Sequence, residues 1–413
     1  MAKNYKDLYA STNASISLEQ RFYLVAETVR GEMKAATDTD FLYTLGGGSI
    51  AYSQPFDSSP HRSGRHHTDI IKKKKETTFS FSTYFNIDST KVAAGTDEID
   101  TAVRVLFKSL LGAEDTTAGL KYTASIPNIT FSLAEVGDKW SRQSRGCFIQ
   151  GCTINLPGDG EATCEWSGAG KDAVLVGIGK SITTNAGANT VTLVAGDADK
   201  FKAAIGGMVM VIKTDGTTRS TDTPNGTPRK IVSVVGNVVT LDGTALTADS
   251  DGAALTPVYL SYYEPTTPAG INDPHTGLEG SFALAGFSSV CLRSASIAIT
   301  NDHELVNYCY GSDGLSAPYY VPGNRLNIVP TFESNLDDTL IKLFQDVQEF
   351  NGQDITLVLG PAAGRRLEIG MPNVKFKVPS YAVPETGSIP VSFEGQCLQT
   401  VLDAADEIYI HFK

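Results

Sequence analysis

The chain has 413 residues, 39 glycines and a formal charge of −12, with 41% hydrophobic and 19% charged residues, ordinary values for a folded protein. One core rarely grows past about 250–300 residues, so the length implies two or three domains. The acidic balance argues against a general nucleic-acid binder, which gains affinity by neutralising phosphates with Lys and Arg.

The opening "MAKNYKDLYAST" is polar, with no apolar signal core. No apolar run approaches the ~18–20 residues that a membrane span needs. Synthesis and folding in a cytoplasm, with no membrane span, are the expectation. Residues 1–29 read as an N-terminal arm. Cys147, Cys152, Cys164, Cys291, Cys309 and Cys397 form no CxxC pair and no zinc-finger block. They are expected to be reduced, mostly buried thiols; a metal or disulfide role is the alternative.

Beyond the arm, "SIAYSQPF" (49–56) reads as a strand, and a long polar stretch separates it from the strand-like "FSTYFNID". "DTAVRVLF" (Asp100 to Phe107) reads as an N-capped amphipathic helix. In "SIPNITFSL" (125–133), Ile129, Phe131 and Leu133 share one face of a half-buried strand. The proline is tolerated because the ladder has not begun. "GCFIQGCTINLPGDGEATCEW" adds two strand-like runs.

Residues 182–262 change texture, with short β-branched runs such as "GGMVMVIKTDG" and "RKIVSVVG" cut by Gly, Asn and Asp. Gly236-Asn237 joins two valine-rich runs, a tight-hairpin signal. Four or five short strands here predict a small barrel inserted at a loop tip.

From residue 263 the earlier grammar returns. "SIAITNDH" answers "SIAYSQPF", and "DTLIKLF" (Asp338 to Phe344) answers "DTAVRVLF". "GMPNVKFKV" (370–378) answers "SIPNITFSL", with Val374, Phe376 and Val378 on one face. "IPVSFEGQCLQTVLDAADEIYIHF" answers the two closing runs. The reading is strand, long hairpin, strand, helix, strand, strand, strand, occurring twice. The expected fold is therefore mainly β. Two tandem β-sandwich or barrel domains (30–181 and 263–413), each with a flanking helix, enclose the small barrel. Two unrelated sandwich halves sharing common strand grammar are the alternative.

The succession "DTAVRVLFKSLLG", "IPNITFSL", "RGCFIQGCTINLPGDGEATCEWSG", then "SASIAITN", "LEIGMPNVKFKV" and "DEIYIHF" resembles the tail tube (major tail) proteins of long-tailed bacteriophages, duplicated-domain type. The resemblance covers both copies but neither the arm nor the inserted module. It implies a virion tail protein, assembled in the host cytoplasm, whose domains close six at a time into rings that stack as a tube. Sheet edges are then used rather than hidden. Two copies per chain imply a trimeric pseudo-hexameric ring, with a hexamer as the alternative. The implied partners are the chain itself, a tape measure protein during assembly, genomic DNA in the lumen, and tail tip and terminator proteins. An outward module leaves little room for a contractile sheath, which favours a non-contractile tail; the module folded flat against the wall is the other arrangement.

A negative lumen would keep DNA hydrated and centred by repulsion. Asp159, Glu161, Glu165, Asp406 and Glu407 are the lumen-lining candidates, against the plainer reading of solvated turn and strand residues. In the family, the long hairpin reaches toward the neighbouring ring. Here it carries His61, Arg62, Arg65, His66, His67, Lys72, Lys73, Lys74 and Lys75 as candidates for contact with an acidic ring face. A solvated, charged strand end is the alternative.

"LGGGSIAYS" lacks the GxxxxGK[ST] pattern, no GxSxG or HExxH occurs, and "ADSDGA" lacks the later acidic ligand of a calcium loop. No catalytic residue, cofactor or metal is expected. Two readings from other classes remain: a virion or cell-surface β-sandwich adhesin with the barrel as its head, and a polysaccharide-degrading spike.

Overall fold

A computed structural model describes residues 3–11, 15, 20–58, 62–63, 66–67, 70–73, 75–85, 99–126, 129–184, 188–213, 215–217, 219, 227–246, 258–265, 280–284, 292–301, 303–306, 319–321, 326–360, 366–379, 381 and 383–413. Among these the fold is mainly β, with three α-helices and a closed six-stranded barrel. No helix among them is long and apolar enough to cross a membrane.

Fourteen strands carry the main body. In the first half they are β1 (Arg21–Ala26), β2 (Ser49–Ser53), β3 (Glu76–Tyr84), β4 (Phe131–Val136), β5 (Ser141–Pro157), β6 (Thr163–Gly170) and β7 (Asp172–Val176). In the second they are β8 (Gly280–Leu284), β9 (Leu292–Asn301), β10 (Leu326–Asn335), β11 (Gln353–Leu359), β12 (Leu367–Phe376), β13 (Pro390–Cys397) and β14 (Tyr409–Phe412). Six antiparallel pairings occur in the first half: β1–β4, β4–β5, β5–β7, β5–β6, β6–β3 and β3–β2. The same six recur seven strands later: β8–β11, β11–β12, β12–β14, β12–β13, β13–β10 and β10–β9. Helix α2 (Thr101–Leu111) lies between β3 and β4, and helix α3 (Asp338–Gln348) between β10 and β11.

The correspondence corrects the sequence alignment. "SIPNITFSL" leads into β4, whereas "GMPNVKFKV" lies in and after β12, and the counterpart of β4 is β11. The closing runs slip likewise, β5–β6 having been set against β13–β14. A Pro-Asn start followed by alternating apolar residues fits any half-buried strand and does not fix which one. The cap of α3 also moves by one residue: Asp337, not Asp338, accepts the Leu340 N–H at 2.8 Å.

In each half a long strand bends and serves two sheets. The first part of β5 pairs β4 and β7; its second part pairs β6. Gly146, at φ +61°, sits at the bulge between them. Two sheets thus face each other across a core that includes Phe79, Phe81, Trp166, Phe22, Leu24 and Phe107. That core is continuous from Phe22 to Phe412 and joins both halves.

Two seams stitch the halves together. In one, β5 pairs β9 from Gly151↔Thr300 to Pro157↔Ser294. In the other, a hairpin (Gly112–Asp115 and Leu120–Ala124) leaves the end of α2 and pairs β14, Leu120↔Phe412 to Thr123↔Tyr409.

The barrel runs from Ile178 to Tyr262, in strand order 178–184, 190–193, 238–241, 229–235, 208–212, 259–262. It begins four residues before the expected 182, because β7 passes into it almost without a break. Gly236, at φ +58°, makes the expected tight turn between Arg229–Val235 and Val238–Leu241. The barrel packs on the outer face of the sheet of β1, β4, β7 and the first part of β5, which with its counterpart of β8, β11, β14 and the first part of β12 is the second sheet. Phe22 and Leu24 of β1 point into the main core, while Tyr23 and Val25 point into the barrel core. Gln143 of β5 exchanges two hydrogen bonds with the Met208 backbone, 2.9 and 2.6 Å. Helix α1 (Tyr5–Ala10) lies on the barrel, with Tyr5 edge-on to Tyr262.

Candidate functional site

The first seam makes one sheet out of two. Its order is β2–β3–β6–β5–β9–β10–β13, ending on Val374–Phe376 of β12. One face is core: Ile50, Phe79, Phe81, Trp166, Ile154, Ile297, Phe332 and Phe393 are buried there. Gly168 has no room for a side chain, since a Cβ would lie 2.2 Å from the Phe79 ring and 2.3 Å from the Phe148 carbonyl.

The other face is open over most of its width, and period-two alternation decides what it shows. One row across it reads Ser49, Ser80, Ser167, Gly151, Thr300, Asn327. The next reads Ser82, Glu165, Thr153, Ala298, Val329, and a third reads Tyr84, Thr163, Asn155, Ser296, Thr331, Glu394. The side chains are mostly small hydroxyls and amides linked to one another. Asn155 Nδ2 donates to Glu165 at 3.2 Å, Ser296 Oγ to Asn155 at 3.2 Å, and Ser294 Oγ to Glu333 at 3.0 Å. Glu165, Glu333 and Glu394 are exposed, and Lys377 pairs with Glu394. At one end the face is covered: Phe148 and Ala169 form a small buried apolar cluster, with Phe148 packing edge-on against the buried His303.

The expected carboxylates divide. Glu165 stands on the open face. Asp159 and Glu161 are exposed on the β5–β6 turn at its margin. Glu161 and Glu333 both line a depression of about 240 Å³, together with Asn155, Thr163, Ser296 and Thr331. Asp406 and Glu407 are elsewhere. They precede β14, which belongs to the second sheet, so they do not join the face. Asp406 is occupied by the Thr400 N–H (3.0 Å) and hydroxyl, hydrogen bonds that hold its carboxyl below the usual range. Glu333 and Glu394 were missed. Their signal was present in "PTFES" and "VSFEG", where each Glu alternates with a core Phe.

The long hairpin of β2 and β3 continues outward as two short ladders, Phe56–Ser58 with Ile70–Lys72 and Arg62–Ser63 with His66–His67. The backbones of Arg62, His66, His67 and Lys72 lie in these ladders. Lys73 pairs with Asp57 at 2.7 Å, and Lys75 stands 5.8 Å over the Tyr52 ring. His61, Arg65 and Lys74 lie outside the described residues. Phe56, Ile70 and Ile71 are exposed beside these cations, so the arm is apolar as well as basic. In the second half the matching hairpin continues as Glu304–Val306 with Tyr319–Val321.

The two ends of the sheet differ from its seam. β2 pairs β3 on one side and has no strand on its other edge among the described residues. Past Phe376, Val378 and Tyr381 are exposed, 56% and 51%. Among the described residues no three His, Cys, Asp or Glu side chains gather as a metal-binding group. The chemistry this face offers is hydration and weak negative charge. Neither a scan against protein-family models nor a search of curated proteins finds a match to this chain.

Proposed function

We propose that the chain is a structural tail tube protein of a long-tailed phage, built from two tandem tail-tube-type domains with an inserted barrel. In this reading three copies close a pseudo-hexameric ring, rings stack into the tube, and the hydroxyl- and carboxylate-lined face conducts DNA.

The observation that carries the reading is the β5–β9 seam. It joins a first-half sheet edge to a second-half sheet edge. By the repeat, β9 corresponds to β2 and β5 to β12, so the open edges of one chain are the same two edges again. The Ser-Ile-Ala of 296–298 in the seam recurs as Ser-Ile-Ala at 49–51 on the free edge. A second copy that laid the chain following Phe376 along β2 would continue the sheet, taking the place of the Arg142 side chain that now donates to the Ile50 carbonyl. Repeating the step gives a closed ring when the rotation per domain is a sixth of a turn.

Two further features support it. The open face carries three exposed glutamates against few cations, which suits passage of a polyanion without retention. The barrel packs on the opposite side of the second sheet and would stand outside such a ring. Electron microscopy of the purified protein tests the reading: rings or hollow tubes are expected. Isolated particles would favour the adhesin, and glycan cleavage the spike.

A further inference from the structure

Three non-glycine residues among those described have positive φ: Phe350 (57°), Asp403 (62°) and Ala405 (50°). All three lie at one end of the second half. The Leu398 N–H donates to the Asn373 carbonyl at 2.9 Å, and Asn373 Nδ2 donates to the Gln399 carbonyl at 2.9 Å. A Cβ on Gly352 would lie 2.1 Å from Asn373 Oδ1. The loop after α3 and the 398–408 loop between β13 and β14 therefore meet over Asn373. On this end Phe350 is 67% exposed, Val401 67% and Leu402 89%. Strain and exposed apolar surface both cost free energy in the isolated chain, and strained residues cluster where function over-determines them. The turn itself does not ask for phenylalanine. The positive φ that follows α2 falls on a glycine, the C-cap Gly112 at φ +92°, whereas after α3 the C-cap Glu349 is at φ −85° and the positive φ falls one residue later, on Phe350.

The first half indicates what this site meets. After Gly112 the chain runs out as the hairpin that pairs β14, so the place following the helix is where one half grips the second sheet of the next. After α3 there is no hairpin; Phe350 and its neighbours stand there instead. The counterpart of β14 is β7. Its outer edge has no strand partner among the described residues, and its Leu175 is 54% exposed. Charge matches at one point: Glu349 and Asp403 are exposed beside Phe350 and Leu402, while Arg142 stands opposite Leu175 in the ladder.

We propose that Phe350, Val401 and Leu402 dock on the β7 edge, around Leu175, of a second copy of this chain. The inference rests on the reading that copies join edge to edge. It adds a second contact, in the outer sheet, where the hairpin seam lies within one chain.

Two variants test it. Phe350→Gly relieves the positive φ, so its monomer is expected to be at least as heat-stable as the wild type. Its self-association, read by sedimentation velocity across concentration, is expected to weaken about tenfold or more. A chain carrying Leu175→Cys and Phe350→Cys is expected to form disulfide-linked multimers on mild oxidation, while each single variant and the wild type do not. If the wild type assembles but Phe350→Gly assembles equally well and no cross-link forms, the proposed contact is wrong and the ring reading stands. If the wild type stays monomeric at every concentration, both fall.

Discussion

Phe412 is fully buried, with ring centroids 6.4, 5.7 and 6.3 Å from Phe85, Phe107 and Tyr122, all first-half residues. Phe412→Ala would leave a cavity where the two halves meet and is expected to cost about 3–5 kcal/mol. Calorimetry should show one transition moving down rather than the second half melting alone. The neighbouring strand residues set a pH dependence. His411 donates Nε2–H to the Ala118 carbonyl at 2.8 Å, and burial holds its pKa below the ordinary 6.5. The unfolded chain then binds more protons in that window, so stability falls as pH drops below about 6.5. Burial raises Glu368, but hydrogen bonds from Lys413 and Tyr409 outweigh it; burial likewise raises Glu114, and Arg104 outweighs that. Both end below the usual 4.5, and their stabilisation is lost as pH falls through the lowered values. Melting temperature against pH should therefore decline in two stages, and His411→Gln should remove the first. The described cysteines, Cys147, Cys152, Cys164 and Cys397, are free and buried, and burial pushes Cys397 up to about 12.

At the scale of elements, the N-terminal arm is a clasp. Lys3 and Arg21 both pair with buried Glu264, at 2.8 and 2.7 Å, and Lys3 also donates to the Gly137 carbonyl at 2.7 Å. The arm thereby ties the β4–β5 turn to the residues leaving the barrel. Glu264→Gln leaves the nearly buried Lys3 ammonium without its carboxylate, holding only the Gly137 carbonyl, and is expected to cost about 3 kcal/mol. Limited proteolysis should then cut near residue 265 while the barrel stays intact. The clasp was not legible in "MAKNYKDLYAST", because its partners lie more than a hundred residues away. The barrel was legible, since Gly- and Asn-bounded β-branched runs with a Gly-Asn turn leave few alternatives. The order of elements was legible too, but the alignment slipped by one strand after the helix. Periodicity gives each strand's faces and not its partner. Glu165 stands out in the sequence only as one acid of the run "PGDGEATCEW"; strand pairing puts it on the open face. Asp406 and Glu407 stand out in the same way in "DAADEIYIHF", but the sheet of the strand they precede is not legible there, and they lie away from that face.

Over the whole molecule, the faces differ in kind. One side is a wide polar sheet with exposed Glu165, Glu333 and Glu394; the opposite side of the first half is covered by the barrel. With a net charge of −12, the chain is not expected to retain duplex DNA. A chain carrying Glu165→Lys and Glu333→Lys should retain it at low salt and release it as salt rises; equal retention by the wild type would contradict the proposed role of the face. The central claim concerns closure. Cryo-electron microscopy of the assembled protein measures it directly, by counting chains around one ring and locating β2. Three chains are expected, with six repeats, the chain that follows Phe376 alongside β2, and the Glu165 face lining the hole. A ring that turns this face outward, or particles that never close, would contradict it.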